Sequence, residues 1–170
     1  PIVLMGYSNP IYSYGWQRFA QDAVQAGIDG LLLVDLPPEE AGELLPAARA
    51  AGLEIIFLLT PTSDDIRIKQ VNRYGSGFLY YVTVTGVTGA RQSVSNSLED
   101  ELKTVRNTIK LPVVAGFGIS TPGQAAQVAA AADGVVVGSA IVKLFEQYQG
   151  EQLLTEVTGL IKSLKDAITP

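Results

Sequence analysis

Two glycine-punctuated turns carry the clearest chemistry in this chain. The stretch from Val113 to Lys143 begins Val-Val-Ala-Gly-Phe-Gly-Ile-Ser-Thr-Pro and ends Asp-Gly-Val-Val-Val-Gly-Ser-Ala-Ile-Val-Lys. Each half is a β-branched run that ends in glycine, at Gly116 and Gly118 and again at Gly138, then passes through a hydroxyl residue into a helical pattern. Glycine lets backbone N–H groups come close to a ligand. A helix N-terminus adds unpaired donors and the positive end of its dipole, so both turns suit a phosphate or another anion.

The chain has no cysteine and no histidine, so thiolate chemistry, disulfides, Cys-ligated zinc and the commonest general base are all excluded. No metal site or cofactor is expected. Proton transfer would have to use carboxylates, Tyr or Lys. Asp35, where a strand pattern ends, is the best candidate base within these residues, with a structural or pocket role ahead of the Pro37-Pro38 turn as the alternative. Asp64 and Asp65 open a helix and are accounted for by the dipole.

With net charge −5 and twelve scattered basic residues, the chain lacks the clustered Lys and Arg that a nucleic-acid backbone requires. Apolar residues make up 47% and charged residues 17% of the 170, a globular composition with enough for a core. No apolar run nears the roughly 20 residues of a membrane helix. The start, Pro-Ile-Val-Leu-Met-Gly, reads as a buried strand and not as a leader, so a soluble protein is expected, cut into ahead of Pro1.

The elements that must position these residues repeat in order. Strands are expected at Ile2 to Met5, Gly30 to Asp35, Glu54 to Leu59, Phe78 to Val84, Pro112 to Gly116 and Gly134 to Gly138. Helices are expected at Gly15 to Ala26, Pro38 to Ala51, Asp64 to Tyr74, Leu98 to Thr108, Pro122 to Ala132, Ala140 to Gln147 and Leu153 to Ala167. Ser63 and Thr121 are natural N-caps, and Gly27, Gly52 and Gly75 stand where helices should stop. The strands are nearly continuous in apolar residues, as parallel strands covered on both faces are. Alternating βα units of this kind mean an α/β protein, either an open doubly wound sheet or a barrel. No linker or low-complexity tract interrupts residues 1–170, so a single domain is expected.

These residues also match a known pattern. Pro1 to Met5 with Tyr7-Ser8-Asn9-Pro10, Asp35-Leu36-Pro37-Pro38-Glu39-Glu40, Pro61-Thr62-Ser63, Gly77-Phe78-Leu79-Tyr80-Tyr81, Gly86-Val87-Thr88-Gly89-Ala90-Arg91, Gly116-Phe117-Gly118-Ile119-Ser120-Thr121-Pro122 and Gly138-Ser139-Ala140-Ile141-Val142-Lys143 together resemble the tryptophan synthase alpha subunit, from about its third strand to its C-terminus. The resemblance implies a (β/α)8 TIM barrel, here with about six of eight βα units and the N-terminal strands apparently missing. It implies a cytoplasmic, cofactor-free lyase that cleaves indole-3-glycerol phosphate to indole and glyceraldehyde 3-phosphate, and passes indole to a beta subunit.

By the same resemblance, Gly89, Gly118, Gly138 and Ser139 would hold the phosphate, while Met5, Tyr7, Tyr80 and Phe117 would line the indole pocket. Thr88 would steady an acidic residue of a neighbouring loop, and the loop from Val84 to Asn96 would close over substrate. Asn9 and Pro37 would face the beta subunit, with Ile11, Tyr12 and Tyr14 adding exposed contact area. The family's two proton-transfer carboxylates fall before Pro1. Two other readings therefore stand beside the lyase: a phosphate-binding barrel fragment without catalysis, and another phosphosugar-binding barrel isomerase, which should lack the Gly86 to Arg91 loop.

Overall fold

The computed structural model describes residues 1–83, 96–116 and 118–169. Its elements in order are β1 Val3–Gly6, α1 Ser8–Tyr14, α2 Trp16–Gln25, β2 Gly30–Leu33, α3 Leu44–Ala51, β3 Glu54–Ile56, β4 Leu58–Leu59, α4 Asp65–Tyr74, β5 Leu79–Val82, α5 Asn96–Thr108, β6 Val113–Gly116, α6 Pro122–Ala129, β7 Gly134–Val136, α7 Ser139–Gln147 and α8 Gly150–Ile168. They pack as two compact units, Pro1–Tyr80 with Thr108–Pro112, and Tyr81–Asn107 with Val113–Pro170.

In the first unit β1, β2 and β3 form a parallel sheet in that order. All four residues of β2 are buried between its two neighbours, as an all-apolar Gly-Leu-Leu-Leu strand demands. The strand expected as one run from Glu54 to Leu59 is broken at Phe57. The amides of Ser76 and Tyr80 donate to the carbonyls of Ile55 and Phe57, at 3.0 Å in both cases, so donors and acceptors advance together as in a parallel pair. Leu44, Ile56, Leu59, Val71 and Leu79, each at most 1% exposed, form the heart of this unit.

In the second unit β6 and β7 pair in parallel, with Gly116 opposite Val136, and helix α6 packs on α8 and β7. Tyr81, Leu102, Val113 and Val128 are buried here. Burial, aided by the neighbouring Glu101 carboxylate that accepts its hydroxyl at 3.2 Å, pushes the Tyr81 phenol far up. Among the described residues no helix is long and apolar enough to cross a membrane.

The two units begin their strands in the same way. Asp29 accepts the Ile2 amide on its carboxylate at 2.6 Å and returns its own amide to the Ile2 carbonyl at 2.9 Å. Asp133 does the same with Val113, at 2.9 and 2.8 Å, and its other oxygen meets Arg106 at 2.6 Å. Each aspartate sits just before a glycine that opens the next strand, so an amide at the start of the preceding strand, Val113 itself or Ile2 just ahead of Val3, is satisfied.

Several expectations are corrected. Ser8-Asn9-Pro10 forms the first turn of α1 and not a loop, because proline is tolerated in a helix's first turn, where its missing N–H is no loss. Ile11 is buried at 8% exposure and supplies no free contact area, while Tyr12 and Tyr14 are exposed. The helix expected from Pro38 begins only at Leu44. Asp64, and not Ser63, caps α4 by accepting the Arg67 amide at 2.8 Å; Ser63 instead accepts the Thr60 amide. β1 is not covered on both faces: Val3, Leu4 and Met5 are 38%, 37% and 62% exposed, with β2 the one described element that β1 packs on extensively.

The Asp133 arrangement makes a testable claim. Asp133→Ala should cost about 1–3 kcal/mol in urea denaturation, because the amide of fully buried Val113 loses its acceptor. Arg106→Ala, which breaks only a partly exposed ion pair, should cost less than about 1 kcal/mol.

Candidate functional site

Parallel pairing carries the turns that follow β6 and β7 to the same end of their sheet, side by side. The first of these turns is tightly wound. Gly118 takes φ +78, a left-handed conformation that side chains other than glycine adopt with strain. Thr121 then caps α6 with Pro122 at the first helical position, and Gln124 completes a capping box. The Gln124 side-chain oxygen accepts the Ser120 amide at 2.9 Å, the Ser120 hydroxyl at 3.1 Å and the Thr121 amide at 3.2 Å. Those two amides are spent within the turn, so an anion here would be met further upstream, around Gly118.

The second turn is open. Gly138 is the residue before α7, Ser139 is its first, and no side chain caps this helix N-terminus. A Cβ at Gly138 would meet nothing within 4 Å, and both residues are exposed. A helix start left uncapped and solvent-facing beside a glycine turn can receive an anion. Thr88, Gly89 and Phe117, together with the loop expected to close over substrate, lie outside the described residues.

In the first unit the candidate residues again gather at strand ends. Met5 is on β1, opposite Leu32, and Tyr7 follows the strand; they are 62% and 65% exposed. Tyr80 on β5 is half-buried, and loss of hydration raises its phenol above the ordinary value. Asn9 is exposed in the first turn of α1, and Pro37 is partly exposed after β2.

Asp35 is tied down. Its Oδ1 accepts the Ser8 amide at 2.8 Å and its Oδ2 the Ser8 hydroxyl at 3.0 Å. Desolvation pushes the carboxyl up, but the bonds from the Ser8 amide and hydroxyl outweigh it and hold Asp35 below the ordinary aspartate range. A carboxylate so held is a weaker base, which favours the structural reading over proton abstraction. Among the described residues no group of His, Cys, Asp or Glu could hold a metal ion.

Sequence reasoning missed Ser8 and Gln124. Gln124 carried a readable signal, three residues after the capping Thr121. Ser8 carried none, since its partner lies 27 residues away.

Parallel βα units with glycine turns at their strand ends define a barrel-class α/β protein with a candidate anion site. Comparison with known proteins makes the class specific. The family described as "Tryptophan synthase alpha chain" matches residues 1–169, and the chain belongs to that family. It is 64% identical over 168 residues to the tryptophan synthase alpha chain of Pelobacter propionicus, covering 99% of this chain and 63% of that one. Against the Geobacter sulfurreducens alpha chain the identity is 61%, over 99% of this chain and 64% of the relative.

Solved structures agree: the Legionella pneumophila alpha chain superposes with a TM-score of 0.87 at 40% identity, over 99% of this chain and 62% of that one. The tryptophan synthase α2β2 complex of Pyrococcus furiosus gives 0.87 at 36% identity, over 98% and 67%. The fold is thus that of a (β/α)8 barrel, of which about six βα units are found among the described residues. The chain spans 63% of the length of its Pelobacter relative.

Two measurements follow from this geometry. Gly118→Ala should destabilise by about 1 kcal/mol or more in thermal unfolding, whereas Gly138→Ala, at φ −116 in open space, should fall within about 0.5 kcal/mol of the parent. Carboxyl-carbon NMR should find Asp35 titrating below 3.8. Because its folded pKa is depressed, its contribution to stability is present above 3.8 and disappears as pH falls through the lower, folded value.

Proposed function

We propose that residues 1–170 act as a single domain that binds indole-3-glycerol phosphate within a cytoplasmic lyase, which releases indole and glyceraldehyde 3-phosphate and hands indole to a tryptophan synthase beta subunit. The observation that carries this reading is the pair of turns after β6 and β7, adjacent by strand register, in a chain of the tryptophan synthase alpha family. The phosphate would be met by backbone N–H groups at Gly118, Gly138 and Ser139, with Gly89 joining them and the Ser139 hydroxyl adding a hydrogen bond. Met5, Tyr7, Tyr80 and Phe117 would contribute apolar surface to the indole ring, and Thr88 would orient a neighbouring acid. Asn9 and Pro37 would face the beta subunit. No metal or cofactor enters this chemistry, and neither nucleic acid nor membrane is a partner.

By the resemblance the family's proton-transfer carboxylates would lie outside residues 1–170, and Asp35, held by Ser8, would not replace them. That favours a second reading for the 170 residues taken alone: they bind the phosphate ligand without turning it over.

Calorimetric titration with indole-3-propanol phosphate, an unreactive look-alike of the substrate, tests both readings. Binding is expected, and it should be lost in Ser139→Glu, which sets a carboxylate where the phosphate would sit while remaining a good first-turn residue for α7. No binding by the unchanged chain would remove the site proposal, and steady indole release from indole-3-glycerol phosphate would remove the second reading.

A further inference from the structure

Helix α1 is capped from a distance. The residue before it, Tyr7, makes no capping hydrogen bond with its side chain. The acceptor comes instead from Asp35, just beyond the neighbouring strand β2, whose two oxygens take the Ser8 amide and the Ser8 hydroxyl at 2.8 and 3.0 Å. A carboxylate at this place also complements the positive end of the helix dipole. Strand register assists, since β1 and β2 run parallel with Gly6 opposite Leu33, and the Val34 amide donates to the Gly6 carbonyl at 3.0 Å.

The consequence is that two successive strand-end turns are fastened together by one side chain. On one side stand Tyr7 and Asn9; on the other, Leu36 and Pro37. The segment after β2 is fastened onward as well, where Glu39 Oε1 meets Arg67 Nη2 of α4 at 2.6 Å. Asp35 is therefore the first of two polar links that join the turns after β1 and β2 and the helix after β4.

We propose that Asp35 is a positioning residue: it holds Tyr7 and the first turn of α1 against the turn after β2, and takes no proton from a substrate. The role rests on the ligand-binding reading above. It explains why the carboxylate directs both oxygens at a single residue, an arrangement that serves geometry and leaves a base poorly placed.

The chemistry of the link supplies a sharp test. Asp35→Asn can keep both hydrogen bonds, with the amide oxygen accepting the Ser8 N–H and the amide nitrogen donating to the Ser8 hydroxyl, which turns from donor to acceptor. Asp35→Ala keeps neither. A role that depends on the negative charge would show the opposite pattern, with asparagine as damaging as alanine.

The experiment uses the full 170-residue chain and these two variants. It reads amide hydrogen exchange across residues 8–14 and the affinity for indole-3-propanol phosphate. Asp35→Ala should speed exchange in α1 and weaken affinity, each by about tenfold, while Asp35→Asn stays within about threefold of the parent in both. The proposal is overturned if alanine leaves affinity unchanged, or if asparagine is as damaging as alanine. Should the unchanged chain not bind the ligand, the functional reading fails by itself and the exchange arm decides the link: equal exchange in the parent and Asp35→Ala overturns it, and faster exchange rescued by asparagine upholds it.

Discussion

Parallel strand pairing is the constraint on which the rest of this structure depends. In a parallel pair every strand leaves the sheet at the same end, so each strand-to-helix turn is delivered beside that of its neighbour. In the first unit this brings the turn after β1 beside the turn after β2, and in the second it brings Gly118 and its wound turn beside Gly138 and Ser139. None of these residues is near its neighbour in sequence. Their adjacency follows from the parallel register of the strands that precede them.

The opposite ends of the strands are governed by the cost of leaving backbone donors unpaired. Asp29 and Asp133 each stand before an opening glycine and return a carboxylate to an amide at the start of the preceding strand. Asp35 solves the same problem at the start of a helix. Three aspartates that a sequence reading could assign to acid–base chemistry thus serve backbone donors, and the depressed titration of Asp35 is the electrostatic signature of that service. In a chain without histidine or cysteine, carboxylates draw attention as catalysts; here one oxygen of each of these three is already committed to a backbone N–H group.

Burial is uneven along elements of similar composition. β2 is wholly buried, while β1, equally apolar, exposes Leu4 and Met5, with β2 the one described element it packs on extensively. Helix α7 has no fully buried residue and leaves Val142 and Phe145 each 60% exposed, although both are large apolar residues. Apolar composition states what an element can bury; its place in the sheet or layer states what it does bury.

The order of βα units, the positions of the six strand patterns, the Thr121 cap and the glycine turns at Gly118 and Gly138 were all legible in the sequence, because each is fixed by periodicity, capping chemistry or backbone freedom over a few residues. Tertiary structure alone decided the break at Phe57, the capping of α1 by Asp35, the burial of Ile11 and the exposure of β1. In each of those cases the deciding partner lies on another element: the carbonyl of Phe57 is taken by Tyr80, and Ser8 is held from 27 residues away. Local physics wrote the elements, and long-range pairing chose which of their polar groups and apolar faces were left to meet a ligand.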